Sequence, residues 1–256
     1  MVPKRNQGRY CGETIDIRAV LEETENFALQ SGWEVQVVCS EPSLAIHAYI
    51  QRIANSSRSY YVSAGIHGDE PAGTLALLEM FRQRAWPRDA SLWIVPCLNP
   101  MGSELGTREN GHGIDLNRQY RNPVARETLD HLDWLQRSPS FDGAVFLHED
   151  WEANGFYLYE LNADDNGSLG SRMIESVRQS CPIQPNGPVD DWFCVEGVIR
   201  PRIKPENRPE WPEALYMVQN KTKRTFTLES PSELDMKIRV AAHVVALHTM
   251  LLTSPY

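Results

Sequence analysis

A histidine and a glutamate three residues apart, His67 and Glu70, follow an apolar run in the stretch GIHGDEPAG. Imidazole nitrogens and carboxylate oxygens are ligands for zinc, and a catalytic zinc takes three of them while keeping a fourth position for water. Two near neighbours plus one ligand from a distant strand is a common arrangement, and His148, directly after the apolar run Gly143 to Leu147, is the candidate third ligand. Taken alone, the pair reads equally well as a solvated polar turn, with Glu70 set against the positive N-terminus of a following helix.

Such residues act together only if the chain brings them to one place. A surface helix is expected over about residues 16–31, with Ile17, Val20, Leu21, Phe27 and Leu29 on its apolar side and Gly32 as its stop. Strands are expected at Trp33 to Val38, Leu44 to Ile50 and Tyr60 to Ile66, separated by the turn residues Glu41-Pro42-Ser43 and Asn55-Ser56-Ser57. Pro71 to about Arg84 has helical periodicity with proline at its first position, where the missing N–H costs nothing. Ser91 to Val95 is a buried-type strand leading into a long polar segment, Asn99 to Asn122.

Further along, a helix from about Val124 to Leu135, strands at Gly143 to Leu147 and Phe156 to Tyr159, and a helix from Met173 to Gln179 are expected. Residues 182–212 are proline-rich and read as irregular, Thr225 to Leu228 as a strand ending at Glu229, and Ser232 to Leu252 as an apolar helix opened by Ser232-x-x-Asp235. Strands alternating with helices predict one α/β domain over residues 1–256, a mixed, largely parallel central sheet with helices on both faces. Ligands of such sheets bind beyond the carboxyl ends of the strands. His67 with Glu70, the 99–122 segment, His148 and Glu229 all fall there.

Bulk properties exclude some classes. A formal net charge of −9 speaks against a nucleic-acid partner, which requires concentrated Lys and Arg. No segment approaches the roughly 18 apolar residues of a membrane span, and the basic N-terminus runs into no apolar leader core, so a cytoplasmic protein is expected. The five cysteines are scattered without a C-x-x-C pair and read as reduced structural thiols, and the sequons at Asn55, Asn166 and Asn220 as chance matches. No Gly-x-Ser-x-Gly elbow and no phosphate-binding glycine pattern is present.

The loop TRENGHGIDLNRQY, residues 107–120, changes the weighing of the His-x-x-Glu pair. With that pair the chain resembles the zinc carboxypeptidase family, or funnelins, over about residues 60–250. The resemblance implies a zinc carboxypeptidase-like fold and one zinc ion held by His67, Glu70 and His148. It also implies a hydrogen bond from His67 to Asp115, Arg108 beside the scissile carbonyl, Asn117 and Arg118 on a substrate carboxylate, and Glu229 as general base. The chemistry suits these residue types: a guanidinium forks onto a carboxylate or meets a developing oxyanion, and a zinc-ligating imidazole usually donates its other N–H to a carboxylate. A hydrogen-bond network that merely staples the loop is the competing reading of Asp115, Asn117 and Arg118.

The chain looks more similar to compact relatives, among them murein-peptide amidases and the succinylglutamate desuccinylase and aspartoacylase group. The substrates implied are a peptide, a murein peptide or an acyl amino acid, each with a free carboxylate. The family's mobile tyrosine has one weak candidate, Tyr216. Arg200, Arg202, Lys204 and Arg208 could read an acidic substrate or be solvated, and Trp151, Tyr157 and Tyr159 could wall a pocket or fill a core. Glu149 and Asp150 read first as solvated carboxylates, with support of the metal ligands as the alternative. His112 reads as solvated, and His243 and His248 as structural. His47 and His131 lack acidic partners at motif spacing.

Overall fold

The computed structural model describes residues 14–40, 45–162 and 169–252. Its helices are α1 (Ile17–Gln30), α2 (Pro71–Arg82), α3 (Pro100–Leu105), α4 (Arg126–Arg137), α5 (Leu169–Val177), α6 (Glu213–Asn220) and α7 (Met236–Leu252). Its strands are β1 (Glu34–Cys39), β2 (Ile46–Gln51), β3 (Ser59–Ala64), β4 (Ser91–Val95), β5 (Gly143–Asp150), β6 (Tyr157–Asn162), β7 (Gly187–Val189), β8 (Trp192–Cys194), β9 (Val198–Ile199) and β10 (Arg224–Pro231). Eight of these strands form one mixed sheet in the order β1-β2-β4-β3-β5-β10-β6-β9. Its centre, β4-β3-β5-β10, is parallel, while β1, β2 and β6 join antiparallel.

Side chains alternate across a strand, so the two sheet faces carry two different cores. Val62, Val145, Leu147, Phe226 and Leu228 pack under α2, α5 and α7. Tyr61, Ala144 and Phe146 face the other way, against Leu132, Trp134 and Leu135 of α4 and Met217 of α6. Each large apolar side chain buried here contributes on the order of 1.5–3 kcal/mol. The expected α/β sheet with helices on both faces is therefore present. Among the described residues, no helix is long and apolar enough to cross a membrane.

Several expected boundaries are corrected. The 99–122 segment is not all loop: Asn99 accepts a hydrogen bond from the Gly102 N–H at 2.9 Å and caps α3, with Pro100 at its first position. Strand β5 does not stop at Leu147, because His148 to Asp150 stay paired with β10. Helix α7 starts later than Ser232. Asp235 is its capping residue, accepting from the Lys237 N–H at 2.8 Å. Residues 182–212 carry the β7-β8 hairpin, β9 and a 3-10 turn at Pro205–Asn207. Cys97, Cys181 and Cys194 are buried free thiols and Cys39 is also buried, whereas Cys11, the Glu41-Pro42-Ser43 turn and Asn166 lie outside the described residues.

Candidate metal centre

The loop between β3 and α2 aims His67 and Glu70 at one point. Gly65 takes a left-handed φ of 62°, and a side chain on Gly68 would collide with the backbone of Gly102 in α3. Asn99 knits the two loops together. Its N–H donates to the Gly65 carbonyl at 2.8 Å, and its side-chain amide donates to the carbonyls of Ile66 and Arg108, both at 3.3 Å. Sequence reasoning passed over this fully buried Asn99. Its Asn-Pro start followed by a glycine three residues later was the available signal.

His148 arrives from β5, in register with Glu229 on β10. Ligand atoms of His67, Glu70 and His148 all lie within 4.8 Å of one another, and all three residues are buried. His67 Nδ1 stands 2.6 Å from Glu70 Oε1, and His148 Nδ1 stands 2.8 Å from Glu70 Oε2. The other nitrogen of His67, Nε2, faces Asp115 Oδ1 at 3.4 Å. Arg108 Nη1 approaches His67 Nδ1 at 3.3 Å, which leaves Nδ1 as the acceptor nitrogen.

This donor set fits a metal ion. Two acceptor atoms at 2.6 Å repel unless positive charge lies between them, and a proton or a divalent cation supplies it. The backing of His67 by Asp115 is the usual support of a ligating imidazole. The charges tell the same story. Burial alone would lower the His67 pKa, but the Glu70 and Asp115 carboxylates outweigh it and raise it. Burial lowers His148, with Glu70 opposing. Burial would raise Glu70, yet the two imidazoles hold it well below the usual carboxylate range.

Asp115 is a junction. Its Oδ1 accepts the Asn117 N–H at 2.9 Å and its Oδ2 accepts Arg108 Nε at 3.0 Å. The expected cluster of Arg108, Asp115, Asn117 and Arg118 is thus brought beside the histidines. Arg108, Asn117, Arg118 and Glu229 line one cavity of about 600 Å³ together with His67, Glu70 and His148. Glu229 faces this space between His148 on β5 and Tyr157 on β6. Burial first, then the negative charges of Glu70 and Asp150, push its pKa well above the ordinary value.

Several other expectations resolve. Tyr216 packs on the Tyr120 ring at 5.9 Å and is absent from the cavity lining. Trp151, Tyr157 and Tyr159 do line it, with Tyr157 donating to Asp150 at 3.0 Å and Tyr159 to Asp190 at 3.0 Å. Arg200 is engaged with Glu160 at 2.8 Å, whereas Arg208 lines the cavity. Glu149 is not solvated: it is buried and ion-paired with Arg239 at 2.6 Å, and burial pushes its pKa up to about 7. His112 is exposed, His47 meets Glu25 at 3.0 Å, and His243 is buried against Ser230 and Phe156.

A second buried polar network went unread. Glu213, the first residue of α6, accepts Tyr61 Oη at 2.7 Å and Ser63 Oγ at 2.9 Å, and its N–H donates to Asn117 Oδ1 at 2.9 Å. His131 lies between Tyr61 at 3.0 Å and Tyr120 at 2.8 Å. Its members are up to 152 residues apart, so no local pattern announces them.

Residues 56–140 match the family model of the succinylglutamate desuccinylase/aspartoacylase catalytic domain. The chain is 39% identical to murein peptide amidase A of Escherichia coli K12 over 67 residues, 26% of this chain and 27% of that protein. The match therefore spans about a quarter of that relative's length. A crystal structure from Shewanella denitrificans OS217 superposes with a TM-score of 0.82 at 23% identity, covering 96% of this chain and 97% of that one. A metallo-carboxypeptidase from Burkholderia cenocepacia superposes with a TM-score of 0.71 at 15% identity, covering 95% and 70%. The chain thus has the metallocarboxypeptidase-like α/β fold.

Proposed function

We propose that this chain is one catalytic domain, a zinc-dependent amide hydrolase acting on a peptide or murein peptide next to a free carboxylate, in the cytoplasm. The observation that carries the reading is the convergence of His67, Glu70 and His148 on one point of a cavity that Glu229 also lines. A zinc ion held by those three residues would supply an acidified water and a polarised scissile carbonyl.

The rest falls to the chain's own side chains. The Glu229 carboxylate, which lines the same cavity, takes the proton of the attacking water and passes it to the leaving amine nitrogen. Arg108 offers its guanidinium to the oxygen that gains negative charge. Arg118 is hydrogen-bonded to the Asn117 carbonyl at 3.0 Å and stands 3.9 Å from the exposed Glu210 carboxylate, a loose pairing that a substrate carboxylate can replace, with the Asn117 amide beside it. These roles order the substrate, with its carboxylate at Arg118 and its amide at the metal.

The lining also favours the reading of peptides over acyl amino acids. Beside Arg108, Arg118 and Arg208, the cavity presents the carboxylates of Asp150, Glu152, Asp190 and Asp191. A small substrate that carries only carboxylates meets repulsion along that acidic wall, while a peptide with an ammonium group does not. The relative named murein peptide amidase A supports the same choice. An N-deacylase of acyl amino acids is the second reading, favoured by the family-model match over residues 56–140. A catalytically silent binding protein is the third, and the full set of catalytic residue types counts against it.

Murein tripeptides, simple peptides and acyl amino acids, each assayed with and without a chelator, decide among these. Chelator-sensitive release of an amine from a peptide is expected. Cleavage of acyl amino acids alone would select the deacylase, and no chelator-sensitive cleavage of any substrate would select the binding protein.

A further inference from the structure

Glu70, at the start of α2, and His148, on β5, are 78 residues apart in sequence, so something must fix their spacing. Glu149 touches both. Its backbone N–H donates to Glu70 Oε2 at 3.1 Å, and its side-chain Oε1 accepts the Ala72 N–H at 2.7 Å, in the first turn of the helix that Glu70 precedes. Its remaining oxygen, Oε2, accepts Arg239 Nη1 at 2.6 Å from the first turn of α7. The side chains are 0% and 3% exposed.

We propose that Arg239 and Glu149 are positioning residues, a clamp that sets the distance between the metal ligands Glu70 and His148. The inference rests on the metal-hydrolase reading given above. Burying a charge pair has a desolvation penalty that its mutual attraction only roughly offsets, so the pair is not accounted for by stability alone. Its position supplies a reason. The Ala72 N–H is one of the donors that a helix start leaves unsatisfied, and the carboxylate that satisfies it comes from the residue next to His148. Arg239 holds that carboxyl group in place. Without Arg239, Glu149 Oε2 loses its buried partner, and both the start of α2 and the end of β5 lose their common anchor.

Groups that support metal ligands from behind typically change metal affinity by about 10- to 100-fold when removed. The test is the zinc dissociation constant, measured by competition with a chromophoric chelator, for the intact chain and for Arg239→Met, Arg239→Lys and Glu149→Gln. Melting curves are recorded for each with and without zinc. Zinc binding by the unsubstituted chain comes first, and its absence would overturn the metal-hydrolase reading and the clamp with it. Given binding, Arg239→Met should weaken zinc by about 10- to 100-fold, with Arg239→Lys in between, and the zinc-induced rise in melting temperature should shrink. An unchanged dissociation constant, with melting temperatures lowered equally with and without zinc, would make the pair merely structural and leave the function reading intact. If Arg239→Met does not fold, Arg239→Lys and Glu149→Gln carry the comparison, and unaltered zinc affinity in both overturns the clamp.

Discussion

Two buried polar clusters lie on the same face of the sheet, one at His67, Glu70 and His148 and the other at Glu213, Tyr61 and His131, and they are wired differently. In the second, every contact pairs a donor with an acceptor. Tyr120 can donate to His131 Nδ1, His131 Nε2 to Tyr61, and Tyr61 and Ser63 to the Glu213 carboxylate. Such a chain is complete with a neutral histidine, and burial accordingly lowers the His131 pKa to about 3. In the first cluster two imidazoles converge on one carboxylate: Glu70 meets their Nδ1 atoms at 2.6 and 2.8 Å, and the Arg108 guanidinium also points at that of His67. A closed hydrogen-bond network holds shape, whereas an array of converging lone pairs holds a cation. Asn117 joins the two, accepting from the Glu213 N–H while lining the cavity.

That contrast can be broken most sharply at the catalytic side. Glu229→Gln removes the proposed base without touching a proposed metal ligand, so turnover of a cleaved peptide should fall by about 10²- to 10⁴-fold while zinc content stays unchanged. Undiminished turnover would remove Glu229 from the mechanism.

The next effect lies in the closed network and concerns stability, not catalysis. Burial, opposed by the Tyr61 and Ser63 hydrogen bonds, raises the Glu213 pKa to about 7 from 4.5. A raised carboxyl binds more protons folded than unfolded between those values. Its contribution is therefore fully present below about pH 4.5 and is lost as pH rises through about 7, a change on the order of 3 kcal/mol. His131 acts in the opposite sense, its contribution present above pH 6.5 and lost as pH falls toward 3. Denaturation of Glu213→Gln should show a flatter dependence than the unsubstituted chain between pH 4.5 and 7. Identical slopes would mean that Glu213 does not titrate with folding.

Arg118→Ala tests the seam between the clusters and should have the smallest effect of the three. Loss of a charge-assisted pair raises KM by about 10- to 100-fold, with zinc content and melting temperature unaltered. A fall in kcat alone would move Arg118 from substrate binding to the chemical step.

What the sequence disclosed followed from distance along the chain. His67 and Glu70 are legible because a β-strand, a glycine turn and a helix-starting proline lie within nine residues, and His148 and Glu229 because each follows an apolar run. Asp115, Asn117 and Arg118 were legible only as a motif, since nothing local says which histidine Asp115 will back. Glu213 and Arg239 were not legible at all. Glu213 follows a proline-rich segment and Arg239 sits near the start of a long apolar helix, and only sheet order and helix packing bury them 150 and 90 residues from their partners. Short helices such as α3 and α6 were also missed, because six and eight residues give too few turns for periodicity to stand out.

The metal content of the purified chain and of His67→Ala bears most directly on the difference between the clusters. About one zinc per chain is expected in the unsubstituted protein, and little or none in a His67→Ala variant that keeps its circular dichroism. Full occupancy in that variant would contradict the metal centre and return GIHGDEPAG to being a polar turn.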